Sequence, residues 1–154
     1  MNQIKLIQNE YFLTESSLAE YIKCDALPRL SFQNCKFGKV DFVGNVFGSC
    51  SFKDCVFKYL NARKATVTNC SFENCKIINS DMTRAEFDRT HFEKCEFLGS
   101  DLAASYFYNC TCKETKFLEC NLDLIGITDV KIWESQEWVK IEEDLSSFEK
   151  HFGQ

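Results

Sequence analysis

The sequence predicts an all-β solenoid, a rod in which the chain winds through stacked square coils. Every fifth residue from Phe32 to Ile132 is apolar, which makes twenty-one five-residue units without an insertion. Residues 50–57 (CSFKDCVF) return almost unchanged at 70–77 (CSFENCKI), twenty residues later. A period of five fits neither the helix period of 3.6 nor the strand period of 2. The chain must therefore turn at every unit, and four units close one coil.

The interior of the rod is predicted by two sets of positions. The central residue of each unit is large, and twelve of the fifteen phenylalanines occupy this position. The residue two before each centre is small or of medium size, and eight of the ten cysteines stand there. Coils joined by backbone hydrogen bonds lie about 4.8 Å apart, so five coils give a rod of roughly 25 Å.

Three units show a resemblance to a known family. SDMTR (80–84), SDLAA (100–104) and CNLDL (120–124) resemble the Ala-(Asp/Asn)-Leu-X-X units of the pentapeptide repeat proteins. The register covers residues 30–134, about two-thirds of the chain, although its many Cys and Phe depart from the family pattern. The resemblance implies a right-handed quadrilateral β-helix. It also implies a possible target, because some members of the family protect DNA gyrase from quinolones or peptide toxins.

The amino-terminal segment, residues 1–29, is predicted to cap the open end of the solenoid. Residues 4–12 (IKLIQNEYF) can add a strand to the first coil. Ser17 followed by Glu20 resembles a capping box, which predicts a short helix through about Cys24. Pro28 then ends that helix.

The carboxy-terminal segment, residues 135–154, is predicted to be a second cap. Its apolar residues follow helical spacings of three and four, which places them on one helix face: Trp138, Ile141, Leu145, Phe148 and Phe152. An alternative interpretation makes 138–141 a strand followed by a shorter helix from about Asp144. In either case the face must be buried, against the last coil of a monomer or in a homodimer. A monomer is favoured.

The ten cysteines are predicted to be reduced thiols that fill the core. The amino terminus has no apolar run of the length of a signal peptide, which indicates a cytoplasmic protein in a reducing compartment. Disulfides between stacked cysteines remain a geometric alternative, because a separation of about 4.8 Å is within the permitted range. Units five residues apart put successive cysteines on different sides, so no metal site and no cofactor are expected.

No catalytic residues are predicted. The two histidines, His91 and His151, are far apart in the sequence, and no nucleophile motif accompanies either of them. A column of acidic and amide residues precedes the centres of one side: Asp41, Asn61, Asp81, Asp101 and Asn121. Such residues bind turn amides more often than cations.

The predicted function is a non-enzymatic protein–protein interaction module or scaffold. Ile78, Leu98 and Leu118 form one outward column with Tyr59 beside it, which makes them the candidate partner face. The alternative is a DNA-mimicking protein that binds gyrase and gives quinolone or toxin protection. Residues 30–132 hold thirteen acidic and thirteen basic side chains, which argues against mimicry of DNA. We expect no direct nucleic-acid partner and no membrane partner.

Overall fold

The computed structural model describes residues 4–13, 18–22 and 26–152. These residues form about five stacked coils of a β-solenoid and one short helix near the carboxy terminus. The all-β solenoid predicted from the five-residue period is therefore confirmed. Each coil has four sides, which we number I to IV in chain order.

Side I is an eight-stranded sheet, which is parallel except for its last pair. Its strands, in sheet order, are β1 (Lys5–Gln8), β4 (Leu30–Gln33), β7 (Ser51–Lys53), β10 (Ser71–Glu73), β13 (His91–Glu93), β16 (Thr111–Lys113), β19 (Lys131–Glu134) and β20 (Glu137–Lys140).

Side II is a six-stranded parallel sheet. Its strands are β2 (Tyr11–Phe12), β5 (Lys36–Gly38), β8 (Val56–Lys58), β11 (Lys76–Ile78), β14 (Glu96–Leu98) and β17 (Lys116–Leu118).

Side IV, which faces away from side II, is also a six-stranded parallel sheet. Its strands are β3 (Ala26–Pro28), β6 (Val46–Gly48), β9 (Thr66–Thr68), β12 (Glu86–Asp88), β15 (Tyr106–Tyr108) and β18 (Gly126–Thr128). Side III has only single parallel bridges, which join Asp41, Asn61, Asp81, Asp101 and Asn121 in series.

The first coil is formed by residues that the sequence interpretation assigned to the cap. Leu27 pairs with Phe47 at the usual offset of twenty, but Ile7 pairs with Phe32 and Phe12 with Phe37 at twenty-five. The strand predicted within 4–12 is confirmed. Pro28 ends strand β3 and not a helix, so that part of the prediction is wrong.

Of the predicted short helix, residues 18–22 are described, whereas Ser17 and Cys24 lie outside the described residues. In its described part, the N–H groups of Tyr21 and Ile22 both donate to the carbonyl of Leu18.

The interior is a set of stacked rings. On side I the centroids of Phe32 and Phe52 are 5.1 Å apart, those of Phe52 and Phe72 4.7 Å, and those of Phe72 and Phe92 5.2 Å. Stacked pairs of this kind add about 0.5–1.5 kcal/mol beyond the burial of their area. The repeated centre of the unit is therefore the main source of stability.

The carboxy-terminal segment follows the alternative interpretation. Strand β20 pairs antiparallel with β19, and helix α1 (Leu145–Phe152) begins after Asp144, whose carboxylate accepts a 2.7 Å hydrogen bond from the Ser147 N–H. The prediction of one helix face that includes Trp138 is wrong. Trp138 lies in β20, opposite Trp133, and is 42% exposed.

Within the described ranges, no helix combines the length and the apolar character that a membrane span needs.

Candidate protein-interaction surface

The outward surface of side II carries two neighbouring columns of side chains. Every strand of the sheet points its central residue into the core and its flanking residues outward. Ile78 pairs in register with Leu98, and Leu98 with Leu118. All three are half-buried, so they form a continuous aliphatic strip parallel to the rod axis. The structure thus brings together the column that the sequence predicted.

The second column consists of the residues that come immediately before the central core residue of each strand, and most of them are lysines. It contains Lys36, Val56, Lys76, Glu96 and Lys116, and its three lysines are exposed. In the described part of the chain, none of these lysines lies within ion-pair distance of an acidic group. With Lys39 and Lys58, the outward positions of side II hold five lysines against two glutamates, Glu96 and Glu119.

A groove opens where the aliphatic strip is interrupted. Gly38 occupies the position that Ile78, Leu98 and Leu118 occupy in later coils, and it leaves a gap between Leu13 and Lys58. The groove encloses about 510 Å3 and is lined by Tyr11, Leu13, Lys36, Phe37, Gly38, Lys39, Val56, Lys58 and Tyr59. Its apolar walls are exposed side chains, because Tyr11 is 59%, Leu13 55% and Tyr59 49% accessible.

Tyr59 belongs to this groove and not to the strip itself. It follows β8 at a backbone position with φ of 58°, and the ammonium of Lys58 lies 5.4 Å from its ring centroid. A lysine over a tyrosine face is a weakly favourable cation–π contact at an exposed site. Tyr59 therefore forms one exposed wall of the groove.

The predicted cap or dimer residues are divided between the core and the surface. Ile141, Phe148 and Phe152 are buried, Leu145 is half-buried and Trp138 is exposed. The ring of Phe148 lies 4.9 Å from that of Phe117, and Phe152 lies 5.2 Å from Phe117. Helix α1 thus covers the end of the last coil within one chain.

The side III column makes the turn contacts that its residue types favour. A side-chain oxygen of Asp41, Asp81, Asp101 and Asn121 accepts the N–H of the residue two further on, at 2.9–3.1 Å. This local use of the carboxylates confirms the interpretation as turn residues. Among the described residues, no cluster of three or more His, Cys, Asp or Glu has the arrangement of a metal site.

Eight of the described cysteines are buried free thiols, and Cys120 is half-buried. Cys110 donates its S–H to the carbonyls of Phe87 and Tyr108, at 3.2 and 3.4 Å. Burial raises the pKa of Cys110 to about 12 and that of Cys112 well above its usual value. These thiols are therefore poor nucleophiles in the folded protein. Their reduced state in cells stays a prediction.

The two histidines lie on separate elements. His91 is in β13, where its Nδ1 shares a hydrogen bond with Thr111 and its Nε2 lies 3.7 Å from the Glu93 carboxylate. Its ring is 5.9 Å from the ring of Trp138. His151 is in α1. The sequence interpretation did not single out Trp133, which packs on Trp138 at 5.2 Å because the β19–β20 hairpin folds one onto the other.

Comparisons with known proteins agree with this architecture. The family model for the pentapeptide repeat region matches residues 26–102, half of the chain. No curated protein sequence matches the chain.

Three solved structures show low similarity. QnrB1, a plasmid-mediated fluoroquinolone resistance protein, is 17% identical over 81% of this chain and 90% of its own, with a TM-score of 0.26. Rfr23, a pentapeptide repeat protein from the cyanobacterium Cyanothece 51142, is 12% identical over 87% of this chain and 84% of its own, with a TM-score of 0.20. HetL, involved in heterocyst differentiation regulation in Nostoc sp. strain PCC 7120, is 7% identical over 82% of this chain and 87% of its own, with a TM-score of 0.22. On the match of the family model, this chain belongs to the pentapeptide repeat family.

Proposed function

We propose that this protein is a non-enzymatic protein–protein interaction module and that it contacts its partner through side II. The observation that carries the proposal is the aliphatic strip of Ile78, Leu98 and Leu118 beside a column that consists mostly of exposed lysines. Solenoid proteins commonly bind partners through such extended outer surfaces, and an interface has an apolar core with a polar rim. A cytosolic location is part of the proposal, because buried free thiols persist in a reducing compartment.

The rigidity of the surface supports this role. Each outward side chain is held by a strand whose central residue is packed in the core, as Phe97 and Phe117 are beneath Leu98 and Leu118. Such a surface loses little backbone freedom when a partner binds, which reduces the entropic cost of association.

The test replaces Ile78, Leu98 and Leu118 together by Ser and measures capture of partners from the native host. The matched control is Asp88→Ser, Tyr108→Ser and Thr128→Ser, which changes the equivalent positions of side IV in the same three coils. We expect both variants to keep the β-sheet circular dichroism of the parent. We expect the side II variant to lose the captured protein and the side IV variant to retain it. Equal capture by both variants would remove side II from consideration.

The gyrase-binding alternative has its own test. A protein that imitates DNA needs dense negative charge along its length, whereas side II is basic and the repeat region holds equal numbers of acids and bases. We therefore expect no protection of gyrase from ciprofloxacin and no direct inhibition of supercoiling at micromolar protein. Either effect in a supercoiling assay would place gyrase ahead of the interaction proposed here.

A further inference from the structure

We infer that the partner segment bound by side II is an acidic amphipathic α-helix that lies along the rod axis. This inference rests on the proposed function, because it names the kind of partner for the same surface. Three features of side II carry it: the sign of its charge, the spacing of its aliphatic strip and the groove at Gly38.

The charge of side II selects an acidic partner. Five lysines stand against two glutamates on its outward positions, although the whole chain has a formal net charge of −5. The described residues of the opposite sheet, side IV, include Glu86, Asp88 and Asp129 against Arg29 and Arg89. The protein therefore presents a basic surface on one side only, and complementary charge steers an acidic segment to that side.

The spacing of the strip selects a helix. Successive aliphatic residues belong to adjacent strands, so they are about 4.8 Å apart along the rod. A helix that lies parallel to the axis presents one residue per turn at about 5.4 Å. Across the two steps from Ile78 to Leu118 the mismatch is only about 1 Å. An extended segment presents alternate residues at about 6.7 Å, which accumulates a mismatch of roughly 4 Å over the same distance.

The groove gives the helix an anchor. Ile78 pairs with Lys58 in the preceding coil, and Lys58 pairs with Gly38 in the coil before that. The groove therefore lies two coils from Ile78 in the same column. From Gly38 to Leu118 is four coil steps, or about 19 Å, which a helix of roughly 13 residues covers. Tyr11, Leu13 and Tyr59 form the apolar walls, and Lys36, Lys39 and Lys58 surround them. A bulky apolar side chain near one end of the helix, flanked by carboxylates, fits these walls.

The experiment selects peptides that bind the whole protein. The sequences of the selected peptides then indicate the binding mode. The probe is a phage-displayed library of random peptides of about 18 residues, which is long enough to span the strip and groove. The parent protein is the target. The counter-target is the variant Lys36→Glu, Lys76→Glu and Lys116→Glu. The matched control is Lys64→Glu, Arg84→Glu and Lys94→Glu, which makes the same change in net charge on sides III and I.

We expect the enriched peptides to be net negative, with apolar residues at spacings of three and four. A synthetic peptide of the enriched sequence should bind the parent and the matched control alike. It should bind the variant with Lys36→Glu, Lys76→Glu and Lys116→Glu at least about tenfold more weakly. Binding should weaken steeply as salt rises, because the lysines are exposed. Enriched peptides that are basic or that alternate apolar and polar residues would overturn the inference, and so would equal binding by the two charge variants.

One further arm of the experiment tests whether side II binds a membrane surface instead of a peptide. Vesicles with about one-third anionic lipid are offered to the parent and to both charge variants. We expect no binding to the vesicles. If the parent binds the vesicles and the variant with glutamate at positions 36, 76 and 116 does not, side II is a lipid-binding surface and the inference is overturned. If no acidic helix is selected, yet the Ser substitutions at Ile78, Leu98 and Leu118 still abolish partner capture, the inference fails and the proposed function stands.

Discussion

Sides II and IV are opposite sheets of the same solenoid. They pack on the same core, but their outward side chains differ. Both have six parallel strands, and both point a large apolar residue inward from each strand, such as Phe97 in side II and Phe107 in side IV. On side IV the outer residues contact one another: the ring of Tyr106 lies across Gly126, and its hydroxyl is 2.7 Å from that of Thr128. On side II the lysines form no ion pair with another described residue, and Gly38 leaves a groove.

The comparison shows that the five-residue unit separates stability from recognition. The inward positions are constrained by the stacking of the rings, and they repeat in every coil. The outward positions face solvent and are free to differ between sides. A change at an outward position should therefore alter binding with little effect on folding, whereas a change one residue away in the core should do the reverse.

The largest expected effect tests this separation on two adjacent residues. Phe97→Ala removes a buried ring that stacks on Phe117 at 4.4 Å, and should lower the free energy of unfolding by about 3–5 kcal/mol. Leu98→Ser, one residue further, should lower it by less than about 1 kcal/mol, because that side chain is half-buried. Urea denaturation measures both. Similar losses at the two positions would break the proposed division between core and surface.

The next effect concerns pH and the buried thiols of the core. Folding raises the pKa of Cys110 to about 12, so the folded state holds its proton where the unfolded state releases it. The stability from this thiol is complete below about pH 8.5 and falls as pH rises toward 12, by up to about 1.4 kcal/mol per pH unit. Urea denaturation between pH 8 and 10.5 should show this decline, and Cys110→Ala should make it shallower. An identical slope in the variant would contradict the assignment.

Two glycines then allow a matched substitution on the two sheets. At Gly38 an added methyl group would lie 3.6 Å from Leu13, an ordinary contact, so Gly38→Ala should stabilise side II by about 0.5–1 kcal/mol. At Gly126 the same methyl group would overlap the ring of Tyr106 and force it away. Gly126→Ala should therefore destabilise by about 1 kcal/mol and increase exposure of Tyr106. Thermal denaturation should show a higher melting temperature for Gly38→Ala and a lower one for Gly126→Ala. A shift in the same direction for both variants would contradict the difference between the outer surfaces.

The smallest effect is in the core beneath side IV. An apolar cavity of about 30 Å3 lies where Ala62 and Val67 replace the larger residues of other coils. This volume matches one methylene group, so Val67→Ile should raise the free energy of unfolding by about 0.7 kcal/mol. Ile77→Val, on the side II wall of the same cavity, should lower it by about 0.5–1.5 kcal/mol. Destabilisation by Val67→Ile would mean that the cavity cannot accept the added group.

The sequence was sufficient to predict the repeated core because the period of five is visible in the large residues themselves. It did not reveal the groove, because Leu13 and Gly38 become neighbours only through the offset of twenty-five residues in the first coil. The insertion responsible lies before the uninterrupted register begins. The aliphatic strip was predicted correctly, since its members obey the usual offset of twenty.

Local backbone conformation was harder to predict. The residue two after each centre from Phe32 to Ile127 adopts positive φ, and it is often Asn or Gly but also Tyr59 (58°) or Leu124 (57°). Ser135 and Gln136, which both have positive φ, form the hairpin turn between β19 and β20. Such turns usually contain Asn-Gly or Asp-Gly. Because that signal is missing, the helical spacing of Trp138 and Ile141 favoured a helix that the chain does not form.

Photo-crosslinking in the native host tests most directly whether side II is the contact surface. A photoreactive amino acid is placed at Leu98 on side II or at Tyr108 on side IV, which are equivalent positions one half-coil apart. The account predicts that illumination joins the protein to a partner through position 98 and not through position 108. Adducts through position 108 alone, or equal adducts through both, would contradict it.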